Sequence, residues 1–535
     1  MTLTHRSSIT GGTRSDLGYW PLAAGPGEPH VARSELIRGA GRPADSAPLL
    51  TVAHLSDLHL CDSQSPARGE FLDRWSDPDS PLRPTLGHIG SYRAQDCLTV
   101  QVGAAMVDAI NAVGRGPVGG AEIDWAITTG DVVDSAQTNE LGWYIGLLDG
   151  GRIVPDSGAL DRYEGVADHG YWHEAFWHPD PSVRADGSAR SDRPHRLFGF
   201  PDAPGLLDAL RAPFDSPGLS MPWIAVHGNH DQLVQGNIPA VGDFALASMA
   251  DTKAIDVPAH WTLEQIARFC GAVDSTEQIG LDAWGEMLVR TITPDALRRT
   301  ITREEFLDAH FGPRARPAGH GFAADHGGRA YYRYDHDGVT VLVLDAVNEH
   351  GGWQGSLDEP QLVWLESELT DADRERRHVV LASHHTLADL VNDRLAPAAA
   401  RRVLTAELTE ILDGHPCVVL WLNGHTHLTR VTPHTGRHSW WEVTAPSLID
   451  FPQQGRIVEL LRSPGGTLTV AVTMVDHSGE LPWSGSLRST TAMAGLSRQL
   501  AANDWQFRPE DLARHVLVGT PTDRNVLLHL PDPWA

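Results

Sequence analysis

Asn423-Gly424-His425-Thr426-His427 follows the apolar run Cys417–Leu422. The run is short, continuous and rich in valine and leucine, the pattern of a buried strand. A turn just past such a strand sends both imidazoles off the end of the sheet towards one point. Imidazole is the commonest metal ligand in proteins. A lone His-x-His pair also arises by chance, so the pair gains meaning only from its companions. Four upstream stretches have the same construction. Leu49–Leu55 runs into Ser56-Asp57-Leu58-His59, and Trp125–Thr128 into Gly130-Asp131-Val132-Val133-Asp134. Trp223–Val226 runs into His227-Gly228-Asn229-His230-Asp231, and Val379–Ala382 into Ser383-His384-His385. Each time a buried strand ends, a glycine or serine turn follows, and the turn carries Asp, Asn or His. Open α/β sheets bind ligands at the carboxyl ends of their strands.

The strand-end donors are Asp57, His59, Asp131, Asn229, His384, His425 and His427: two carboxylates, one amide and four imidazoles. Oxygen and imidazole donors together suit Mn, Fe, Zn or Co, and the lack of thiolate argues against a closed structural zinc site. Seven donors are too many for one tetrahedral ion. They suit two divalent or mixed-valence ions that share a carboxylate and each keep a position for water. Two ions ~3.5–4 Å apart lower the pKa of a shared water and clamp the oxygens of a displacement at phosphorus. Plainer uses exist for single members: Asp131 and Asp134 as helix caps, Asn229 as a turn residue. His54 and His227 read as packing residues, and Trp364, Trp421, Trp440 and Trp441 as core. The histidines between the motifs, His169, His173, His178, His195, His260, His310, His320 and His326, read as surface residues.

The chain has 535 residues and a formal net charge of −27. That length holds one large domain with insertions, or two to three ordinary ones. The charge repels polyanions, so general nucleic-acid binding is not expected. Cys61, Cys97, Cys270 and Cys417 are scattered without a CxxC pair and read as free thiols. No apolar run approaches the ~20 residues of a membrane span. Residues 1–29 lack a charged start followed by an apolar core, and the Arg-Arg pairs at 298, 376 and 401 are interior. The expectation is therefore cytoplasmic residence without membrane attachment.

Residues 1–48 read as a wrapping segment, 49–480 as the main domain, and 481–535 as a weakly patterned tail. Two excursions, expected to be insertions, cover about 150–220, with few periodic segments, and about 232–330, partly helical; 61–95 is a shorter one. Helical spacing appears over 98–113, 361–369 and 404–412. Thr302 with Glu305 forms a capping-box signature. Tyr331–Tyr334 and Val339–Leu344 flank His336-Asp337-Gly338 as a hairpin. Further strand-like runs lie at 441–444, 457–461 and 468–475.

Taken in order, Asp-x-His, Gly-Asp-x-x-Asp, Gly-Asn-His-Asp, a strand-end His and Gly-His-x-His resemble the calcineurin-like metallophosphoesterases. Gly355-Ser356-Leu357, Gln361 and Trp364-Leu365 also match that family's segment before the fourth motif. The matching elements spread over residues 50–475, and the two long excursions match nothing. The chain also resembles an actinobacterial branch of the family with long inserts between motifs. The resemblance implies an α/β fold: a four-layer sandwich of two mixed β-sheets flanked by helices, with long insertions.

The resemblance also implies roles. Asp57, His59 and His427 would hold one ion, Asn229, His384 and His425 the other, and Asp131 would bridge them. His230 would act on the phosphoryl group, and Asp134 and Asp231 would orient ligands. Thr386 stands where the family's fourth motif has proline, so the choice of His384 over His385 rests on alignment. Ser135-Ala136-Gln137 follow Asp134, so that loop brings no arginine phosphate clamp. The implied activity is dinuclear-metal hydrolysis of a small phosphate ester with a metal-bound hydroxide as nucleophile. Two alternatives stand beside it: a phosphodiesterase acting on cyclic nucleotides or glycerophosphodiesters, and a non-catalytic metal-binding regulatory module. The motifs build the attacking site and not the leaving-group pocket, so mono- and diesters stay open, as does oligomeric state. The excursions are expected at the rim of the site, as a lid setting substrate choice.

Overall fold

Strands form where valine, leucine and isoleucine run together, and each stops at a turn of glycine, serine or aspartate. The computed structural model describes residues 2–37, 46–87, 92–168, 170–184, 186–240, 243–275, 285–394, 401–463 and 465–535. The chain first lays down β1 (Val31–Arg33), β2 (Ala47–Leu55), β3 (Trp125–Thr129) and β4 (Trp223–Val226) in one sheet. It then builds a second sheet from β5 (Tyr332–His336), β6 (Val339–Val343), β7 (His378–Ala382), β8 (Val418–Asn423), β9 (Arg430–His434) and β10 (Trp440–Thr444). It returns to the first with β11 (Gln454–Ser463), β12 (Thr467–Asp476) and β13 (Val526–Pro531).

The seven-stranded order is β1-β13-β12-β11-β2-β3-β4, and the six-stranded order is β5-β6-β7-β8-β10-β9. Both sheets are mixed. Strands β2, β3 and β4 run parallel, as do β6, β7, β8 and β10, while β11, β5 and β9 pair antiparallel with β2, β6 and β10. Parallel strands end at one edge, and every motif follows such a strand.

Alternation along the strands divides the core. Val341, Val343, Val380, Ala382, Leu420 and Leu422 meet Val52, Ile127 and Ile224 of the other sheet between the two. Their neighbours Leu342, Val379, Leu381 and Trp421 face outwards. Helices α1 (Thr99–Val113), α2 (Glu359–Glu375), α3 (Thr405–Asp413) and α4 (Thr490–Ala501) supply the outer layers. Leu362, Leu365 and Leu369 of α2 and Leu408 and Leu412 of α3 cover the outward face of the six-stranded sheet. On the other side α1 packs on β12, and α4 packs on α1. The layers run helix, sheet, sheet, helix, as the resemblance implied. Between Val379 and Val380 the register with β8 slips by one residue. This bulge lets Val419 and Leu420 both enter the inter-sheet core. Asp96–Val113 is long and apolar enough to cross a membrane by composition, yet 72% of it is buried inside the protein.

The excursions are packed bodies with cores of their own. Strand pairing of residues 151–153 with 214–216 closes the first. Its Tyr163, Phe176, Trp177, Phe200 and Leu206 cluster with Leu496 and Leu500 of α4. The second buries Ile266, Phe269 and Met287 against Phe71 and Leu72 of the shorter 61–95 insertion. The capping box forms, with the Thr302 side chain accepting from the Glu305 N–H at the start of helix Arg303–Ala309. The C-terminal stretch supplies both α4 and the sheet strand β13.

One expectation about the excursions fails. His310 and His320 are fully buried, and His178 and His326 are buried as well. His320 stacks on Trp223 at 3.5 Å between ring centroids and reaches Asp149 Oδ1 at 3.0 Å. These rings fill the gap between the insertion and β4, a use of histidine with no local sequence pattern. His169 lies outside the described residues.

Candidate metal centre

Strands β2, β3 and β4 of one sheet and β7 and β8 of the other deliver the five motif loops to one place. Five of the seven donors have left-handed backbone: Asp57 (φ 51°), His59 (42°), Asp131 (49°), His425 (67°) and His427 (57°). Such a conformation costs a non-glycine residue roughly 1–3 kcal/mol and collects at functional sites. The loops also approach one another too closely for side chains at two positions. A Cβ on Gly424 would lie 1.8 Å from Ser56 Oγ, and one on Gly228 would lie 2.2 Å from the Asp131 nitrogen. Glycine in these motifs therefore serves contact between loops from different strands.

The donors form two groups joined at Asp131. In the first, His59 Nε2 and His427 Nε2 are 3.2 Å apart, and Asp57 Oδ1 is 3.4 Å from His427 Nε2 and 4.0 Å from His59 Nε2. In the second, His384 Nε2 is 3.2 Å from His425 Nδ1. One oxygen, Asp131 Oδ2, lies 3.1 Å from His384 Nε2 and 3.8 Å from His59 Nε2, between the groups. Asn229 donates its Nδ2 hydrogen to the Gly236 carbonyl at 2.9 Å, and its buried Oδ1 has no partner.

This arrangement fits metal ions. The outer nitrogen of His384 donates to the Thr129 carbonyl at 2.8 Å, and that of His427 meets Asp450 Oδ2 at 2.6 Å. The inner nitrogens are thereby left as lone-pair donors that converge, the usual way proteins orient ligating histidine. An orphaned amide oxygen and crowded imidazole lone pairs are costly in a buried site unless a cation takes them up.

The electrostatics agree. Burial works to raise the Asp131 carboxyl, but His384, His230 and His59 outweigh it and hold the group well below the usual carboxylate range. Asp57 is likewise lowered by His427 and His384 against its burial. Burial works to lower His384, yet Asp131 and Asp57 lift it to about 9. His427, also opposed by burial, is lifted to about 10 by Asp450 and Asp57. His425 moves the other way, lowered by burial and by the neighbouring His385 and His384.

His230 lies beside the first group, its ring centroid 4.5 Å from that of His59. Its backbone N–H donates to Asp131 Oδ1 at 2.8 Å, and its Nδ1 donates to the Asp134 carbonyl at 2.6 Å. Asp134 Oδ1 stands 3.6 Å from His59 Nδ1. Asp231 accepts from the Val132, Val133 and Gly228 N–H groups, tying the second motif to the third. His384 faces Asp131, whereas His385 donates its Nε2 hydrogen to the Trp353 carbonyl at 2.9 Å.

Several supporting residues carry no signal in the sequence. Asp450, which holds His427, is itself held by Arg93 Nε at 2.7 Å. The fully buried Arg68 pairs with Asp134 and Asp96. Gln235, from the start of the second long insertion, donates to Asp134 Oδ2 at 2.7 Å and Ser135 Oγ at 2.6 Å. Asp450 and Arg93 lie outside every motif, and only the folded chain brings them to the site.

No family model matches the chain. A 60-residue stretch, 11% of this chain, is 40% identical to a probable cyclic nucleotide phosphodiesterase of Fibrobacter succinogenes (strain ATCC 19169 / S85) and spans 20% of that protein's length. Among solved structures, the chain is similar to a dimetal phosphatase from Danio rerio, with 13% identity, a TM-score of 0.37, and coverage of 81% of this chain and 100% of that one. It is also similar to a purple acid phosphatase from yellow lupin (Lupinus luteus) seeds, with 10% identity, a TM-score of 0.28, and coverage of 87% and 55%. Overlaps this loose add no weight to the reading, which stands on the chain's own residues. The two facing mixed sheets and the paired donor groups at one sheet edge agree with the resemblance read from the order of the motifs.

Proposed function

We propose that the chain hydrolyses phosphate esters at a centre holding two metal ions. One observation carries this reading: donors from five loops of two sheets converge in two groups that share Asp131 Oδ2. Asp57, His59 and His427 would hold one ion, Asn229, His384 and His425 the other, and Asp131 both. The nitrogen and oxygen donor set suits Mn, Fe, Zn or Co. Such ions, when bound, supply Lewis acidity and an activated water for in-line attack at phosphorus.

The chain's own residues do the rest. Asp134, fixed by Arg68 and Gln235, steadies the His59 ring. Asp450 holds the His427 proton on Nδ1 and so keeps Nε2 facing inwards. Asp231 locks the turn that presents Asp131. His230 keeps its Nδ1 hydrogen on the Asp134 carbonyl, which leaves Nε2 to pass a proton to the departing oxygen. Burial lowers the His230 pKa, so Nε2 carries a proton only in the charged form, which Asp131 and Asp134 favour against the burial and which gives that proton up readily.

The second reading, a phosphodiesterase acting on cyclic nucleotides, is supported by the 60-residue likeness to a protein described in those terms. One experiment tests both. The protein is stripped with chelator, reloaded with Mn, Fe or Zn in turn, and assayed on phosphomonoesters, linear diesters and cyclic nucleotides. Metal-dependent hydrolysis of any class supports the proposal, and a cyclic nucleotide as the fastest substrate selects the second reading. Loaded protein that hydrolyses none of them would point instead to a non-catalytic module.

A further inference from the structure

Trp353 is the only phenylalanine, tyrosine or tryptophan that is exposed among the described residues. It is 42% exposed, whereas every other described tryptophan is buried or half-buried. Its position is specific. The indole lies over the imidazole of His425, with ring centroids 5.7 Å apart and planes inclined by 24°. His425 Nδ1 is in turn 3.2 Å from His384 Nε2 inside the centre. The indole therefore begins one ring away from the donor cluster. It stands on the side where His230, His425 and His427 are partly open to solvent while Asp57 and His384 are fully enclosed.

The loop that carries Trp353 is fixed on both sides. The Trp353 carbonyl accepts from His385 Nε2 at 2.9 Å. The Gly352 N–H donates to the Asn237 carbonyl at 3.0 Å. Asn392 Nδ2 donates to the Gly351 carbonyl at 3.0 Å and to the Gln354 carbonyl at 2.8 Å. Asn348 Nδ2 completes the brace by donating to Asn392 Oδ1 at 3.0 Å. A rigid aromatic surface held beside a phosphoryl site loses little entropy when a flat group settles on it. Stacking is also tolerant of the group's identity, since it needs only a π face.

We propose that Trp353 forms a stacking subsite for a planar leaving group, so that the centre takes phosphate esters of nucleosides or other aromatic alcohols. This rests on reading the centre as a phosphoester site. A phosphoryl group seated between the two donor groups would have the indole at its His425 edge, where a flat group carried by the ester could settle.

The test uses two probes that carry the same phosphate, adenosine 5′-phosphate and ribose 5-phosphate. Each is titrated calorimetrically into manganese-loaded protein. Wild type is expected to bind the nucleotide about tenfold or more tighter than the sugar phosphate, the range that base–aromatic stacking supplies. Trp353→Ala should bring that ratio near one while leaving ribose 5-phosphate binding unchanged, and Trp353→Phe should keep most of it. The metal content of Trp353→Ala checks that this variant has folded. Equal affinity of wild type for the two probes, or a ratio that survives in Trp353→Ala, would overturn the subsite alone. Failure of both probes to bind, together with no hydrolysis on the ester panel, would overturn the centre and the subsite with it.

Discussion

The loops after β2, β3, β4, β7 and β8 and the long insertions between them solve opposite problems. A motif loop is only a few residues long and hangs from a strand buried in the inter-sheet core. Apart from Leu58, Val132 and Val133, which join the inter-sheet core, these loops are polar, and they carry left-handed residues, buried carboxylates and an orphaned amide oxygen. The sheets bear those costs. The insertions run for tens of residues and are stabilised by their own clusters, one around Phe176 and Phe200 and another around Ile266 and Phe269. They touch the centre at few points, Gln235 against Asp134 and Asn237 against Gly352 among them. The candidate donors thus sit on loops carried by core strands, and length has accumulated in bodies with cores of their own.

Substitutions can break or sharpen this contrast. Among changes that leave the seven donors in place, the largest effect is expected from His230→Ala, which should slow esters with poor leaving groups by ~10²–10⁴, the range of general acid–base catalysis. A nitrophenyl ester should lose less, because its leaving oxygen scarcely needs a proton. Steady-state rates on matched alkyl and nitrophenyl esters check this, and equal losses would reassign His230 to charge stabilisation. Next comes Asp450→Asn, which removes the carboxylate behind His427. Metal affinity should fall by about 10–100-fold, as it does when an outer partner of a ligand is lost. Competitive titration against a chelator measures it.

A smaller, graded effect follows from pH. The folded pKa values of His384 and His427, about 9 and about 10, lie above the ordinary imidazole value of 6.5. In metal-free protein each contributes stability that is fully present below about 6.5 and is lost as pH rises through its folded value. Ligation requires the neutral ring, so loading must expel those protons and should tighten as pH rises from neutral towards 10. Calorimetry in buffers of differing ionisation enthalpy reads the protons released. The least effect on the centre is expected from Phe269→Ala, in the core of the second insertion. It should cost about 3–5 kcal/mol in stability, seen by thermal unfolding and limited proteolysis, while metal content stays unchanged. A loss of metal there would tie the insertion to the site more closely than its contacts indicate.

The same contrast explains what could be read from the sequence. Strand-end motifs were legible because apolar runs and turn residues are local signals, and those runs lie within a few residues of β2, β3, β4, β7 and β8. The bulge at Val419 was not, since it depends on the pairing partner. Strand β13 and helix α4 lie in a stretch without clear period, and their burial is set by β12 and α1. The buried His310 and His320 were missed because the wall they fill, Trp223 with Asp149, comes from distant parts of the chain. At the site, the motif side chains that converge were legible and the residues that hold them in place were not. Asp450, Arg93 and Arg68 meet the motifs only through the fold.

The central claim is that seven side chains from five loops grip two cations through a shared carboxylate. Counting bound metal by mass spectrometry, after reloading and removal of excess, tests it on wild type and Asp131→Asn side by side. The account predicts two ions per chain in the wild type, and fewer, weakly held ions with hydrolysis reduced to background in the variant. A wild type that keeps one ion or none, or an Asp131→Asn protein that keeps two ions and full activity, would contradict it.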